Sequence, residues 1–198
     1  IFINTSGIGL FDHDLQIVGS AAKPGDKVLI NGSIGDHGMA VLASREGLDL
    51  QSDIVTDSMA LNHLVAKLLT EFGDDIHVLR DPTRGGVATT LKEISLQSQV
   101  DICLQETSLP VNPAVASTCA ILGLDPLFVA NEGKLLAIVA ADKADAALAL
   151  MQAQPEGTGA AIIGDVVTES NGRVMMQTAI GGMRAIEMLA GEQLPRIC

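Results

Sequence analysis

Apolar residues along this chain gather in short runs separated by glycine, proline and charge, and two spacings alternate between the breaks. The run KVLIN (27–31) has the continuous apolar character of a buried strand, and a glycine-punctuated turn, GSIGDHG, then opens helical spacing over about 36–46. In T-D-S-M-A-L, Thr56 or Asp57 stands where a helix N-cap belongs, and Leu61, Leu64, Val65, Leu68, Leu69 and Phe72 follow on one helical face. IHVLR (76–80) predicts a strand running straight into D-P-T-R-G-G, after which VATTLKEISLQS resumes helical spacing. A further strand, VDICLQE (100–106), precedes the punctuation S-L-P-V-N-P and a short helix ending at Gly123. D-P-L-F-V-A-N-E-G leads into the strand KLLAIVAA, an Ala-rich helix over about 143–152, and the strand AAIIGDVV. RVMMQTA then reads as a hairpin return across E-S-N-G, and G-G-M-R with a helical turn precedes the tail. Strands and helices in this order predict an α/β (α+β) sandwich, a mixed β-sheet with packed helices.

Composition narrows what such a fold does. At 198 residues and 47% hydrophobic content, the chain is long enough for a buried core, and no apolar run approaches the roughly 20 residues of a membrane span. A formal charge of −12, with only 12 Lys and Arg spread along the chain, argues against a nucleic-acid surface. Three cysteines without a C-x-x-C pair fit a reducing cytoplasm. Aromatics are 2%, so ligand binding falls to backbone and charged groups rather than to stacking. The amino end, I-F-I-N-T-S-G-I-G, has neither an initiator Met nor a signal-peptide order and reads as the interior of a longer chain.

Three motifs carry candidate chemistry. D-P-T-R-G-G joins a strand to a helix. Gly85 and Gly86 let backbone N–H groups approach an anion at the positive helix end, with Thr83 and Arg84 as further donors beside Asp81. The same residues also describe an ordinary capped turn in which glycine supplies unusual dihedrals. In A-N-E-G-K, Glu132 stands between an apolar run and a strand, placed either to act as a base raised by partial burial or to cap a turn and pair with Lys134. His37, in G-D-H-G, is either a proton carrier or structural, while His13, His63 and His77 are read as structural. No histidine spacing points to a metal cage.

Cys103 and Cys119 lie in apolar contexts and read as small buried hydrophobes. Cys198 is different, because it is the last residue of G-E-Q-L-P-R-I-C. Extended at about 3.3 Å per residue, that tail reaches roughly 26 Å, the length of a swinging arm. Its own terminal carboxylate disfavours the thiolate while Arg196 favours it, and the position reads either as a thiol that carries a group between sites or as an accidental terminal residue.

Together N-T-S-G-I-G, S-I-G-D-H-G-M-A, S-R-E-G-L, R-D-P-T-R-G-G-V-A, L-G-L-D-P-L-F-V-A-N-E-G-K, I-G-D-V and L-P-R-I-C resemble the HypE family of hydrogenase maturation proteins, the carbamoyl dehydratases. That family belongs to the ATP-using superfamily of aminoimidazole ribonucleotide synthetase, selenophosphate synthetase and thiamine monophosphate kinase, and D-x-T-x-G-G is shared across it. The resemblance implies the end of an ATP-binding domain and a linker over 1–22, a C-terminal α/β domain over 23–190 and a mobile tail over 191–198. It implies ATP and Mg²⁺ as cofactors, with Asp81, Thr83, Arg84, Gly85 and Gly86 as phosphate or Mg²⁺ contacts, and Cys198, Glu132 and His37 as catalytic residues. A carbamoyltransferase, HypF, would load Cys198, dehydration would leave a thiocyanate, and cyanide would pass to iron on a HypC–HypD complex. A homodimer of the complete protein is also implied. Two readings from other classes stand beside it: a superfamily kinase or synthetase acting on a free small molecule, and a noncatalytic thiol carrier.

Overall fold

Val28 and Ile30 face one way from the first strand, β1 (Lys27–Ile30), and Leu29 faces the other, and none of the three is exposed. A strand apolar on both faces needs cover on both. The computed structural model, which describes residues 6–10, 13–46 and 54–188, supplies that cover with helices on either side of a mixed sheet. After β1 come α1 (Asp36–Glu46), α2 (Asn62–Phe72), β2 (Ile76–Arg80), α3 (Gly86–Ser98), β3 (Val100–Gln105) and α4 (Pro113–Leu122). Then follow β4 (Leu136–Val139), α5 (Ala144–Gln152), β5 (Ala161–Glu169), β6 (Val174–Gln177) and β7 (Met183–Ile186).

The sheet order is β2-β4-β1-β5-β3-β6-β7, with every neighbour antiparallel except β3 and β6. Alternation then sorts the side chains. Val87, Leu91 and Ile94 of α3 pack with Val28, Ile30, Ile102, Leu104, Leu136 and Ile138. On the opposite face Leu64, Leu68 and Phe72 of α2 join Ala144, Ala147 and Met151 of α5 over Leu29, Ala137 and Val139. Each fully buried Leu or Ile contributes roughly 1.5–3 kcal/mol, so these two layers dominate the stability. A smaller cluster of Met39, Leu42, Val115, Cys119 and Val129 joins α1 to α4. Among the described residues no helix is long and apolar enough to cross a membrane.

Register decides where the loops collect. Ile30 and Arg80 both pair with Leu136, and Ile30 also pairs with Ala161. The ends of β1 and β2 and the beginnings of β4 and β5 therefore share one end of the sheet.

Three local expectations are corrected. Helix α2 starts after Leu61 with no side-chain cap, rather than on Thr56 or Asp57, because Asp57 is buried against another loop. β5 and β6 do not form a hairpin, since β3 lies between them. The cause is Asp101 at the start of β3, whose carboxylate accepts bonds from Ser170 Oγ, from Arg173 N at 2.8 Å and from Arg173 Nη2 at 2.6 Å, drawing the turn across the strand. Finally, Met183–Ile186 is a strand rather than a helical turn: Thr178 N donates to Gly182 O at 2.8 Å and closes a turn that lays β7 beside β6.

Candidate functional site

Four connections leave the shared end of the sheet, and two buried asparagines tie them together. Asn31, directly after β1, donates from Nδ2 to Gly133 O at 3.2 Å and to Glu156 O at 2.7 Å, and its Oδ1 accepts from Leu135 N at 2.8 Å. Asn131 is fully buried. Its Oδ1 accepts from Gly35 N at 2.8 Å, and its Nδ2 donates to Pro82 O and Val129 O, each at 3.0 Å. Leaving one such buried group unpaired costs about 1–3 kcal/mol, so each amide acts as a peg for several backbones at once. The G-D-H-G, D-P-T-R-G-G and N-E-G stretches are brought to one place by Asn131.

Glu132 follows that peg on a half-buried surface, and its Oε1 lies 3.9 Å from His37 Nε2 on α1. The other ring nitrogen, Nδ1, is 2.8 Å from Thr56 Oγ1, which is itself 2.9 Å from Ser58 Oγ. Two of the sequence-predicted residues thus meet as a carboxylate and an imidazole oriented by a hydroxyl, an arrangement able to accept and pass on a proton. Lys134 does not pair with Glu132. Its Nζ is 3.2 Å from Asp57 Oδ2 in a pair whose side chains are 5% and 4% exposed. Asp57 Oδ1 meanwhile accepts from Glu132 N at 3.2 Å.

The D-P-T-R-G-G loop borders this region through Pro82. Gly85, the N-cap of α3, and Gly86 both have positive φ, 68° and 63°. A Cβ on Gly86 would stand 2.7 Å from Val129 O and collide with Leu127 O, so the glycine lets the helix start lie directly on the turn leading to Asn131. Gly85 brings no side-chain cap, which leaves the first-turn N–H groups of α3 without one. Beside the loop lies a cleft of about 240 Å³ lined by Arg80, Asp81, Thr83 and Arg84 and by Thr90 and Glu93 of α3. Thr83 Oγ1 donates to Asp81 Oδ2 at 2.8 Å, and Arg80 is shared between Asp81 and Glu93 at 3.1 Å each. Arg84 is exposed and has no ion-pair partner among the described residues.

Sequence reasoning passed over Asn31, Asn131 and the Asp57–Lys134 pair. Their one signal was position, since Asn31, Asn131 and Lys134 each sit beside an apolar run at a glycine break, whereas Asp57 carries no such mark. The other sequence-selected groups lie apart: Cys119 is buried between α1 and α4, and His77 is a buried partner of Asp26 at 2.7 Å. Cys198, with the rest of 191–198, lies outside the described residues.

Comparison with known proteins agrees with this fold. The family model described as AIR synthase related protein, C-terminal domain, matches residues 23–177. Carbamoyl dehydratase HypE of Rhizobium leguminosarum bv. viciae is 53% identical over all 198 residues, which make up 57% of that protein. A crystal structure of hydrogenase maturation protein HypE in complex with ATP is 51% identical with a TM-score of 0.87, over 92% of this chain and 55% of that one. A HypE–HypF complex is similar at 46% identity and a TM-score of 0.84, over 87% of this chain and 56% of that one. The chain thus spans somewhat more than half the length of the relatives it matches.

Proposed function

Because the chain belongs to the AIR synthase related protein C-terminal domain family, we propose that it serves as that domain of an ATP-dependent carbamoyl dehydratase in hydrogenase maturation. The observation that carries this reading is the 53% identity to a carbamoyl dehydratase along the whole chain. The pairing of Glu132 with His37 in the loop cluster supports it.

On this reading HypF transfers a carbamoyl group to the Cys198 thiol, and the tail carries the resulting S-carboxamide to the loop cluster at high effective concentration. ATP supplies a phosphoryl group to the carboxamide oxygen, which converts a poor leaving group into phosphate. One N–H proton leaves to water as the oxygen is phosphorylated, and Glu132 takes the second as the C–O bond breaks, phosphate departs and the C≡N bond forms, leaving a thiocyanate on Cys198. His37, held by Thr56, receives that second proton from Glu132 or passes it to water. The cyano group then moves to iron on HypC–HypD. The work belongs to the cytoplasm, where a free terminal thiol survives.

The D-P-T-R-G-G cleft suits the nucleotide. Gly85 and Gly86 open the N-terminus of α3, and Thr83 and Arg84 stand beside it as donors. Asp81 and Glu93 both present carboxylates to this cleft, and the described residues hold no group of three or more acidic, His or Cys ligands. That suits Mg²⁺ held largely by phosphate oxygens and water with one or two carboxylates, which is its usual habit beside a nucleotide.

Intact mass of the full-length protein after incubation with the carbamoyltransferase, carbamoyl phosphate and ATP tests this. The expected result is gain of one carbamoyl group on Cys198 followed by loss of one water. Glu132→Gln should keep the first change and lose the second by at least about 100-fold in rate. Absence of any adduct on Cys198 would leave a kinase acting on a free small molecule.

A further inference from the structure

Asp57 touches three consecutive residues of the neighbouring loop. Its Oδ1 accepts from Glu132 N at 3.2 Å, its carbonyl oxygen lies so close to Gly133 that a Cβ there would collide, and its Oδ2 faces Lys134 Nζ at 3.2 Å. We infer that Asp57 and Lys134 are positioning residues for Glu132, fixing both where its carboxylate stands and the field in which it gains and loses a proton. This inference rests on the base reading of Glu132 given above.

Stability does not account for the pair. Burying two charges at 4% and 5% exposure costs desolvation that their attraction often fails to return, and apolar residues of similar volume commonly serve a core as well. Here Oδ2 has no hydrogen bond and is balanced only by the ammonium of Lys134. The pair does what apolar residues cannot do: it gives Glu132 N an acceptor, and it sets one negative and one positive charge beside the Glu132 backbone. The preceding residue is locked by the three bonds of Asn131, so the segment from 131 to 134 has little freedom left. Among the described residues, the charged and titratable groups facing Glu132 are His37 from α1, Asp57 from the segment before α2, and Lys134 from its own loop.

Removing either member leaves a charge of opposite sign beside the base, and that gives a readout a purely structural pair would not. The experiment follows single-turnover conversion of carbamoylated Cys198 to thiocyanate in the full-length protein, by intact mass, across about pH 5 to 9. In Asp57→Asn the uncompensated ammonium should move the acid limb of the rate profile down by roughly one pH unit, and in Lys134→Met the uncompensated carboxylate should move it up by a similar amount. Lys134→Arg, which keeps the charge, should restore the wild-type limb. Limbs that stay in place, or that move in the same direction in both variants, overturn the inference. If Lys134→Met does not fold, as judged by its thermal melt, the shift in Asp57→Asn decides alone. Glu132→Gln run alongside separates the two levels. Normal dehydration in that variant removes the base reading and this inference with it, whereas loss of dehydration with unmoved limbs removes only this inference.

Discussion

Asp101 shows how much one carboxylate can organise. Burial by itself raises this group, but the Arg173 side chain, the Ser170 hydroxyl and the Arg173 backbone N–H outweigh it and hold the carboxyl at about 2 against an ordinary 3.8. A group held below its unfolded value stabilises the fold above that value and stops doing so as pH falls through the folded one. The contribution is therefore complete above about pH 4 and is lost between about 4 and 2. Urea midpoints measured across that range should fall steeply in the wild type, and Asp101→Asn should start lower at neutral pH and flatten the slope. Cys119 moves the other way: burial first, and the nearby Asp125 charge second, push its thiol up to about 11. Since the thiolate is the reactive form, iodoacetamide at about pH 8 should leave Cys119 unmodified in the native protein and alkylate it in denaturant, as peptide mass mapping would report.

At the scale of elements, the central strands and most helices were legible because their apolar spacing coincides with burial on the sheet. α1 and β2 fall on the predicted spans 36–46 and 76–80, where local pattern and tertiary cover agree. The sequence misled where a polar residue served a distant segment. Thr56 and Asp57 have the chemistry of N-caps, yet Thr56 turns to His37 and Asp57 to the Glu132 loop, and α2 begins without them. E-S-N-G has hairpin chemistry, but Asp101 captures it from a strand that no local rule connects to it. At the site, Glu132, His37 and the glycine loop were visible as motifs, whereas the pegs Asn31 and Asn131 were not, because their partners lie far along the chain. Gly86 joins the two kinds of information, being legible as a turn residue and required by packing. Gly86→Ala combines a positive φ with a collision against backbone, so it should cost more than about 1 kcal/mol in chemical denaturation.

Across the whole molecule, protection should follow the strand order. β1 and β5 have a neighbour on each side and helices above and below, while β7 is an edge whose Met183 is 55% exposed. Native-state hydrogen exchange should find the slowest amides in β1, β4 and β5 and the fastest strand amides in β7. The same order bears on how the chain comes into being. Ile30 pairs with Leu136 and Ala161, so β1 leaves the ribosome long before the two strands that flank it in the sheet. At about 5–20 residues per second that wait is on the order of ten seconds, during which the unpaired edges of a strand carrying Val28, Leu29 and Ile30 are open to chaperones or to other nascent chains. Production of this domain should therefore depend more on what shelters β1 during synthesis than on how firmly the finished sheet holds.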